Sequence, residues 1–331
     1  MTNQQENKDR VLDAVRNLVH AANGHLNLGS AVSEYIRATS FLSVAKLEDW
    51  ERAFRYEIYV EPHSSSKLFT LRDRRLPIPW LDLCHGDGYL REKALRSLRE
   101  GAPNGFLLAM VLRRLNDWVP QVRAAAREHV PQMAANTKPE HILETLWATL
   151  PHLHTWGRLQ DEELEVLINL LAVDGVPSHL ASKLVEATAG PAASILGQAG
   201  RKPVLDSFLP IISEKAVQPA VRAKAYLSQL EERMVWFESR KWVWTDIRWC
   251  EGRYEPVLGE RAIKVGQSFL ETLKKAARDN SPVVRRVAGN ALIAKLDTLG
   301  TEALPIAEIL SKDSYPSVVE RGKFALARLK A

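Results

Sequence analysis

Residue types able to do chemistry gather at four places in the chain. "CHGDG" (84–88) combines Cys84, His85 and Asp87, the side chains of a nucleophile–base pair or a metal site. Glycine and aspartate are also common turn residues, and a turn is our reading of this stretch. "HLHTW" (152–156) sets His152 and His154 two residues apart. That spacing does not share a helix face, and no cysteine or acidic residue stands at ligand-like spacing, so it reads as a polar helix terminus. Four arginines, Arg91, Arg123, Arg222 and Arg285, recur at equivalent points of a repeated pattern. Stacked along a groove, they would contact carboxylate or phosphate. The fourth place is "WFESRKWVWTDIRW" (236–249), which holds four of the nine tryptophans with Arg240, Lys241 and Arg248 between them. No Gly-rich phosphate loop, GxSxG or HExxH occurs. These types point to binding more than to catalysis, and we expect no cofactor and no metal.

The elements that position these residues follow from internal repetition. "DWVPQVRAAA" (117–126), "DNSPVVRRVA" (279–288) and "DSYPSVVERG" (313–322) align without gaps. Each has aspartate first, proline three residues later, valine at the sixth position and a small residue at the tenth. "AVQPAVRAKA" (216–225) and "HGDGYLREKA" (85–94) keep part of the pattern. Aspartate bonds free amides at a helix start, and proline pre-sets the first helical φ. Valine and the small residue then lie on one helix face, the latter admitting a neighbour closely. Arg91 and Arg123 are 32 residues apart and Pro282 and Pro316 are 34, the period of helix-pair repeats.

These stretches resemble the HEAT-repeat family, whose second helix typically opens with proline, then Val-Arg and a downstream alanine. "PQVRAAA" and "PVVRRVA" match well, whereas "PSVVERG" has Val319 in place of the arginine. The resemblance implies an all-α fold, an α-α superhelix, with residues 77–331 forming the repeat array. Residues 1–76 are expected to form a helical amino-terminal cap, with amphipathic helices at 10–22 and 46–60. In HEAT families the repeated arginine commonly bonds the turn aspartate or carbonyls of adjacent repeats, and Asp117 and Asp279 are placed for this. The resemblance favours that scaffolding role over ligand contact on a concave face.

One segment does not fit the repeat. The helix beginning at Pro219 is expected to run to about residue 238, so that Trp236 is helical and structural. The next helix begins near 262, leaving a gap far longer than the 2 to 8 residues typical between paired helices. "KWVWTDIRW" is rich in strand formers, and "CEGRYEPVLG" supplies a Glu-Gly turn and a return strand. We therefore expect a small β-hairpin insertion at 239–261. In it Trp242, Trp244, Asp246 and Arg248 share one face, with Val243, Thr245 and Ile247 on the other. Its tryptophans either pin the insertion to the array or form a binding surface. Trp242, Trp244, Arg248, Trp249, Arg253, Tyr254, Arg240 and Lys241 are the candidate protein-binding residues, and Arg91, Arg123, Arg222 and Arg285 the concave-face candidates.

Composition narrows the function classes. With 45 basic residues against 40 acidic, the charge excess is small for a dedicated nucleic-acid binder, and its sharpest concentration is "KLFTLRDRR" (67–75). No apolar run has the length of a membrane span, and the polar start "MTNQQENKDR" carries no hydrophobic core of a signal. Two cysteines make no disulfide framework, so a cytoplasmic location is expected. The expected function is non-catalytic: a protein partner bound through the concave face and the Trp-rich insertion. An adaptor, an assembly factor or an immunity protein that neutralises a toxin would all fit. The alternative is a nucleic-acid-binding protein similar to the HEAT-like alkylpurine DNA glycosylases, which hold damaged DNA with Trp and Asp. Asp117 next to Trp118 in "NDWVPQVR" carries that similarity.

Overall fold

The computed structural model describes residues 2–24, 27–60 and 76–330. The basic run 67–75 lies outside the described residues. The chain divides into two compact units, Met1–Val176 and Pro177–Ala331.

The first unit contains α1 (Thr2–Ala22), α2 (Leu28–Thr39), α3 (Leu47–Val60), α4 (Pro79–Asp82), α5 (Gly88–Ser97), α6 (Gly105–Arg113), α7 (Pro120–Ala135), α8 (Pro139–Thr149) and α9 (Asp161–Asn169). Helices α5, α7 and α9 pack in succession, as do α6 and α8. Helix α6 reads "GFLLAMVLR", apolar on every side, and its residues from Gly105 to Leu112 are buried. A helix without a polar face belongs in the interior. Tyr35 of α2 and Phe106 of α6 each meet Phe54 of α3 edge-on, at 5.8 and 6.1 Å, so the amino-terminal helices and the first repeats share this core.

The second unit contains α10 (Val176–Glu186), α11 (Ala192–Ala199), α12 (Leu209–Lys215), α13 (Pro219–Glu231), β1 (Arg233–Asp246), β2 (Glu251–Ala262), α14 (Phe269–Ala276), α15 (Pro282–Ala294), α16 (Leu296–Leu299), α17 (Ala303–Ser311) and α18 (Pro316–Lys330). Helices α13, α15 and α18 form one row, with α14 and α17 packed against it. Leu273, Val284, Leu292, Ile306, Leu310 and Val318 fill the core between them.

The repeated residues do in three dimensions what their types require. Pro120, Pro282 and Pro316 each open a helix. Val122, Val284 and Val318 are fully buried. At the small position, Gly322 lies so close to α17 that an added Cβ would stand 2.2 Å from the Ser311 amide nitrogen. Each turn aspartate accepts a backbone N–H two residues on: Asp117 from Val119 at 3.0 Å, Asp279 from Ser281 at 2.7 Å and Asp313 from Tyr315 at 2.9 Å.

Four expectations for the insertion need correction. Helix α13 stops at Glu231, and Glu232 takes a left-handed conformation with φ 54°. Trp236 is therefore in a strand, because the chain turns out of the helix to bury Met234 instead of continuing its period. The hairpin accordingly spans 233–262 and not 239–261. The turn is at 247–250, with Glu251 and Gly252 already inside β2. Finally, the register shifts between Phe237 and Ser239 and between Trp244 and Asp246. Such bulges interrupt face alternation, so Asp246 and Arg248 do not continue the face of Trp242 and Trp244.

Candidate functional site

The four repeated arginines are building elements of the array. Arg91 Nε and Nη2 donate to the two carboxylate oxygens of Asp117 at 2.9 and 2.8 Å. Arg222 does the same to Asp279 at 2.8 and 2.9 Å, and Arg285 pairs with Asp313 in the same two-pronged way. The third prong of each guanidinium returns to its own turn. Nη1 of Arg91 donates to the His85 carbonyl, that of Arg222 to Ala216 and that of Arg285 to Asp279, each at 2.8 Å. Arginine thus ties one helix start to the turn of the following repeat, using the bidentate geometry that lysine lacks. Arg123 keeps the bond to its own turn, at the Asp117 carbonyl. No aspartate follows it at the matching place; Glu163 lies 3.7 Å away and is shared with Arg127.

Sequence separation in this ladder locates the insertion. Arg91 to Asp117 spans 26 residues, Arg285 to Asp313 spans 28, and Arg222 to Asp279 spans 57. Subtracting the 30 residues from Arg233 to Ala262 brings the long one to 27. The hairpin is therefore spliced into one repeat whose interlock is otherwise unchanged, and the Ile263 amide closes its base by donating to the Glu232 carbonyl at 2.9 Å.

The base of the hairpin is fastened to helices. Met234 is fully buried against Gly200, where an added Cβ would sit 2.2 Å from Met234 Cγ. Lys224 Nζ of α13 donates to the Val235 carbonyl, and Gln198 Nε2 of α11 to that of Phe237. Burial draws the Lys224 ammonium below its usual range. Arg261 grips Asp206 with two bonds of 2.9 and 2.6 Å and the carbonyls of Gly200 and Lys202 with two more. The Arg201 guanidinium stands 5.0 Å from the Trp236 ring, whose Nε1 donates to Glu238. The sequence reading missed this anchor. Its signal was the short, glycine-rich "PAASILGQAG": Gly197 and Gly200 leave room for strand β1.

The distal half carries most of the residues predicted to bind. Trp242 meets Trp244 edge-on at 5.5 Å and Tyr254 across the strands at 5.0 Å, and it lies over Gly252. Exposure remains high for an aromatic cluster: 53% for Trp244, 65% for Tyr254, 78% for Trp249 and 77% for neighbouring Ile247. The loop is shaped by Asp246, which accepts the Arg248 amide at 2.8 Å. Of the basic candidates, Arg253 is paired with Glu255, whereas Arg240, Lys241 and Arg248 are exposed and form no ion pair among the described residues. The structure thus brings Trp242, Trp244 and Tyr254 together, sets Arg248 and Trp249 in the loop, and commits Arg91, Arg222 and Arg285 to turn aspartates and Arg123 to its own turn.

The other sequence clusters have structural roles. Cys84 is fully buried, with Sγ donating to the Leu81 carbonyl, and burial pushes its thiol up to about 12, away from nucleophile chemistry. Asp87 caps α5 by accepting the Tyr89 amide. His152 and His154 are exposed on a short 3-10 helix, Leu150–Thr155. Among the described residues, no three His, Cys, Asp or Glu side chains are grouped to hold a metal ion, and no single helix is long and apolar enough to cross a membrane.

Helix pairs joined by an Asp–Pro turn and tied by arginine–aspartate pairs define an α-helical repeat fold with a β insertion. Residues 267–288, which span α14, the Asp279 turn and the start of α15, match the family described as "HEAT repeat associated with sister chromatid cohesion". Among solved structures, the chain is similar to a designed armadillo repeat protein: identity is 18%, over 77% of this chain and 100% of that one, with a TM-score of 0.25. No curated protein matches the chain. Repeat arrays of this type offer extended surfaces and generally serve as interaction scaffolds.

Proposed function

We propose that this is a non-catalytic, cytoplasmic binding protein that engages a protein partner through the distal half of the 233–262 hairpin. The observation that carries the reading is the contrast inside the hairpin: a base fastened by buried Met234 and bidentate Arg261, and beyond it Trp244, Ile247, Trp249 and Tyr254 more than half exposed. Aromatic side chains bury large areas at little entropic cost, and tryptophan, tyrosine and arginine dominate binding hot spots. Arg240, Lys241 and Arg248 beside them suit acidic side chains at the rim of such a contact.

Within this reading the protein is an adaptor, an assembly factor or an inhibitor of the immunity type. The near-balance of charge on the hairpin weighs against nucleic acid as the occupant, since phosphate tracking calls for a concentrated basic surplus. Affinity capture with the full chain tests the proposal. Wild type retains a partner from cell extract that Trp244→Ala/Trp249→Ala loses, while both proteins keep the same melting temperature. Loss of folding in that variant with every partner retained would assign the tryptophans to the core instead.

A further inference from the structure

A second feature, in the first unit and independent of the hairpin, has the composition of an anion site. A cavity of about 310 Å³ opens between α3, α5 and the turn after α6. Five arginines line it: Arg55, Arg91, Arg113, Arg114 and Arg158. Three carboxylates answer them. Asp117 takes Arg91 and Arg114, Glu51 takes Arg113 and Arg114, and Glu48 takes the other side of Arg113. Arg55 and Arg158 have no carboxylate partner among the described residues. Arg55 Nε donates to the Cys84 carbonyl at 2.9 Å, and among the described residues neither terminal nitrogen has a hydrogen-bond partner. Arg158 is placed by its own amide, which donates to Asn116 Oδ1 at the cavity wall at 2.9 Å.

The cavity therefore has a neutralised floor and two positive charges on its walls that no carboxylate among the described residues compensates. Trp118 stands at its lip, 70% exposed. Its backbone lies in the turn closed by the Val119 amide, which donates to Asp117 Oδ1 at 3.0 Å. An exposed indole offers a stacking face to a planar ring, and two guanidinium groups unpaired among the described residues match a doubly charged anion.

We infer that this cavity binds a small phosphate monoester carrying a planar ring, with the phosphate between Arg55 and Arg158 and the ring against Trp118. The ring is either a nucleobase or a simple aryl group; both satisfy the same chemistry. The saturated Arg91–Asp117–Arg114–Glu51 floor has its donors engaged, which leaves the anion to Arg55 and Arg158.

Calorimetric titration of the full chain at low ionic strength with AMP, phenyl phosphate and inorganic phosphate tests the inference. Two substitutions at exposed positions, Arg158→Ala and Trp118→Leu, accompany wild type, each checked by its melting temperature. Wild type binds a ring-bearing phosphate at one per chain. Arg158→Ala weakens that binding about tenfold, as expected for loss of a charge-assisted bond. Trp118→Leu reduces AMP and phenyl phosphate to the level of inorganic phosphate. AMP tighter than phenyl phosphate makes the ring a nucleobase; equal affinity makes it any aryl group, and either result upholds the site. Absence of saturable binding by both ring compounds overturns the inference. So does binding that Arg158→Ala leaves unchanged, or a phosphotyrosine peptide that outcompetes both small ligands.

Discussion

The arginine ladder and the hairpin arm use similar residues to opposite ends. In the ladder, Arg91, Arg222 and Arg285 spend their donors on turn aspartates and carbonyls, with side chains at 3%, 13% and 14% exposure. On the arm, Arg240, Lys241 and Arg248 stand in solvent among tryptophans that are themselves largely uncovered. A buried, fully bonded guanidinium specifies how repeats dock. An exposed one beside aromatic surface costs the fold little to lose and keeps donors in solvent. Residue type alone therefore does not separate scaffold from site; the carboxylate waiting one repeat later does.

The sharpest way to break this comparison is in the ladder. Arg91→Ala strands Asp117 and unbalances its buried network with Arg114 and Glu51, and the expected loss is about 3–5 kcal/mol in urea unfolding. A loss below about 1 kcal/mol would put the ladder on the same footing as an exposed ion pair. Next comes the hairpin base: Met234→Ala leaves a cavity beside Gly200 and costs about 2–4 kcal/mol by the same measurement. Arg285→Ala, at a partly buried pair, is expected to cost about 1.5–3 kcal/mol.

Acid should act on the ladder and spare the arm. For Asp313, hydrogen bonds from Arg285 hold the carboxyl below its ordinary value of 3.8. For Asp117, burial pushes the carboxyl up, but bonds from Arg91 and the Val119 amide and the charge of Arg114 overcome it, so it too lies lower. A carboxyl depressed in the folded state stabilises fully above its unfolded value and loses that contribution as pH falls through the folded one. Unfolding free energy should therefore decline as pH drops below about 3.8, and Asp313→Asn should flatten part of that decline. The smallest effect is on the arm, where Trp249→Ala should change stability by no more than about 0.5 kcal/mol.

How much of this was legible in the sequence depended on whether the cause was local. The Asp–Pro–Val pattern announced the repeats because the turn aspartate, the helix-opening proline and the buried valine act within ten residues of one another. The ladder partners Asp117 and Asp279 could be named because the resemblance to HEAT repeats implies an arginine bonded to a turn aspartate, and both stand in repeated turns. The start of the hairpin could not, since "AVRAKAYLSQLEERMVWF" keeps a helical rhythm past Glu231, and only the burial of Met234 against Gly200 breaks it. The bulges that reassign Asp246 and Arg248 left no mark in composition. Nor did the convergence of Arg55 and Arg158 on one cavity: these residues are far apart in the chain and outside the repeat pattern.

The central claim is that the distal tryptophans serve a partner and not the fold. Urea unfolding of Trp244→Ala/Trp249→Ala, followed by the far-ultraviolet helical signal alongside wild type, tests it without knowing the partner. The account predicts unfolding free energies within about 1 kcal/mol of each other, the margin left for the Trp242–Trp244 edge contact. A loss of about 3 kcal/mol or more, the scale of emptying a core aromatic site, would contradict it.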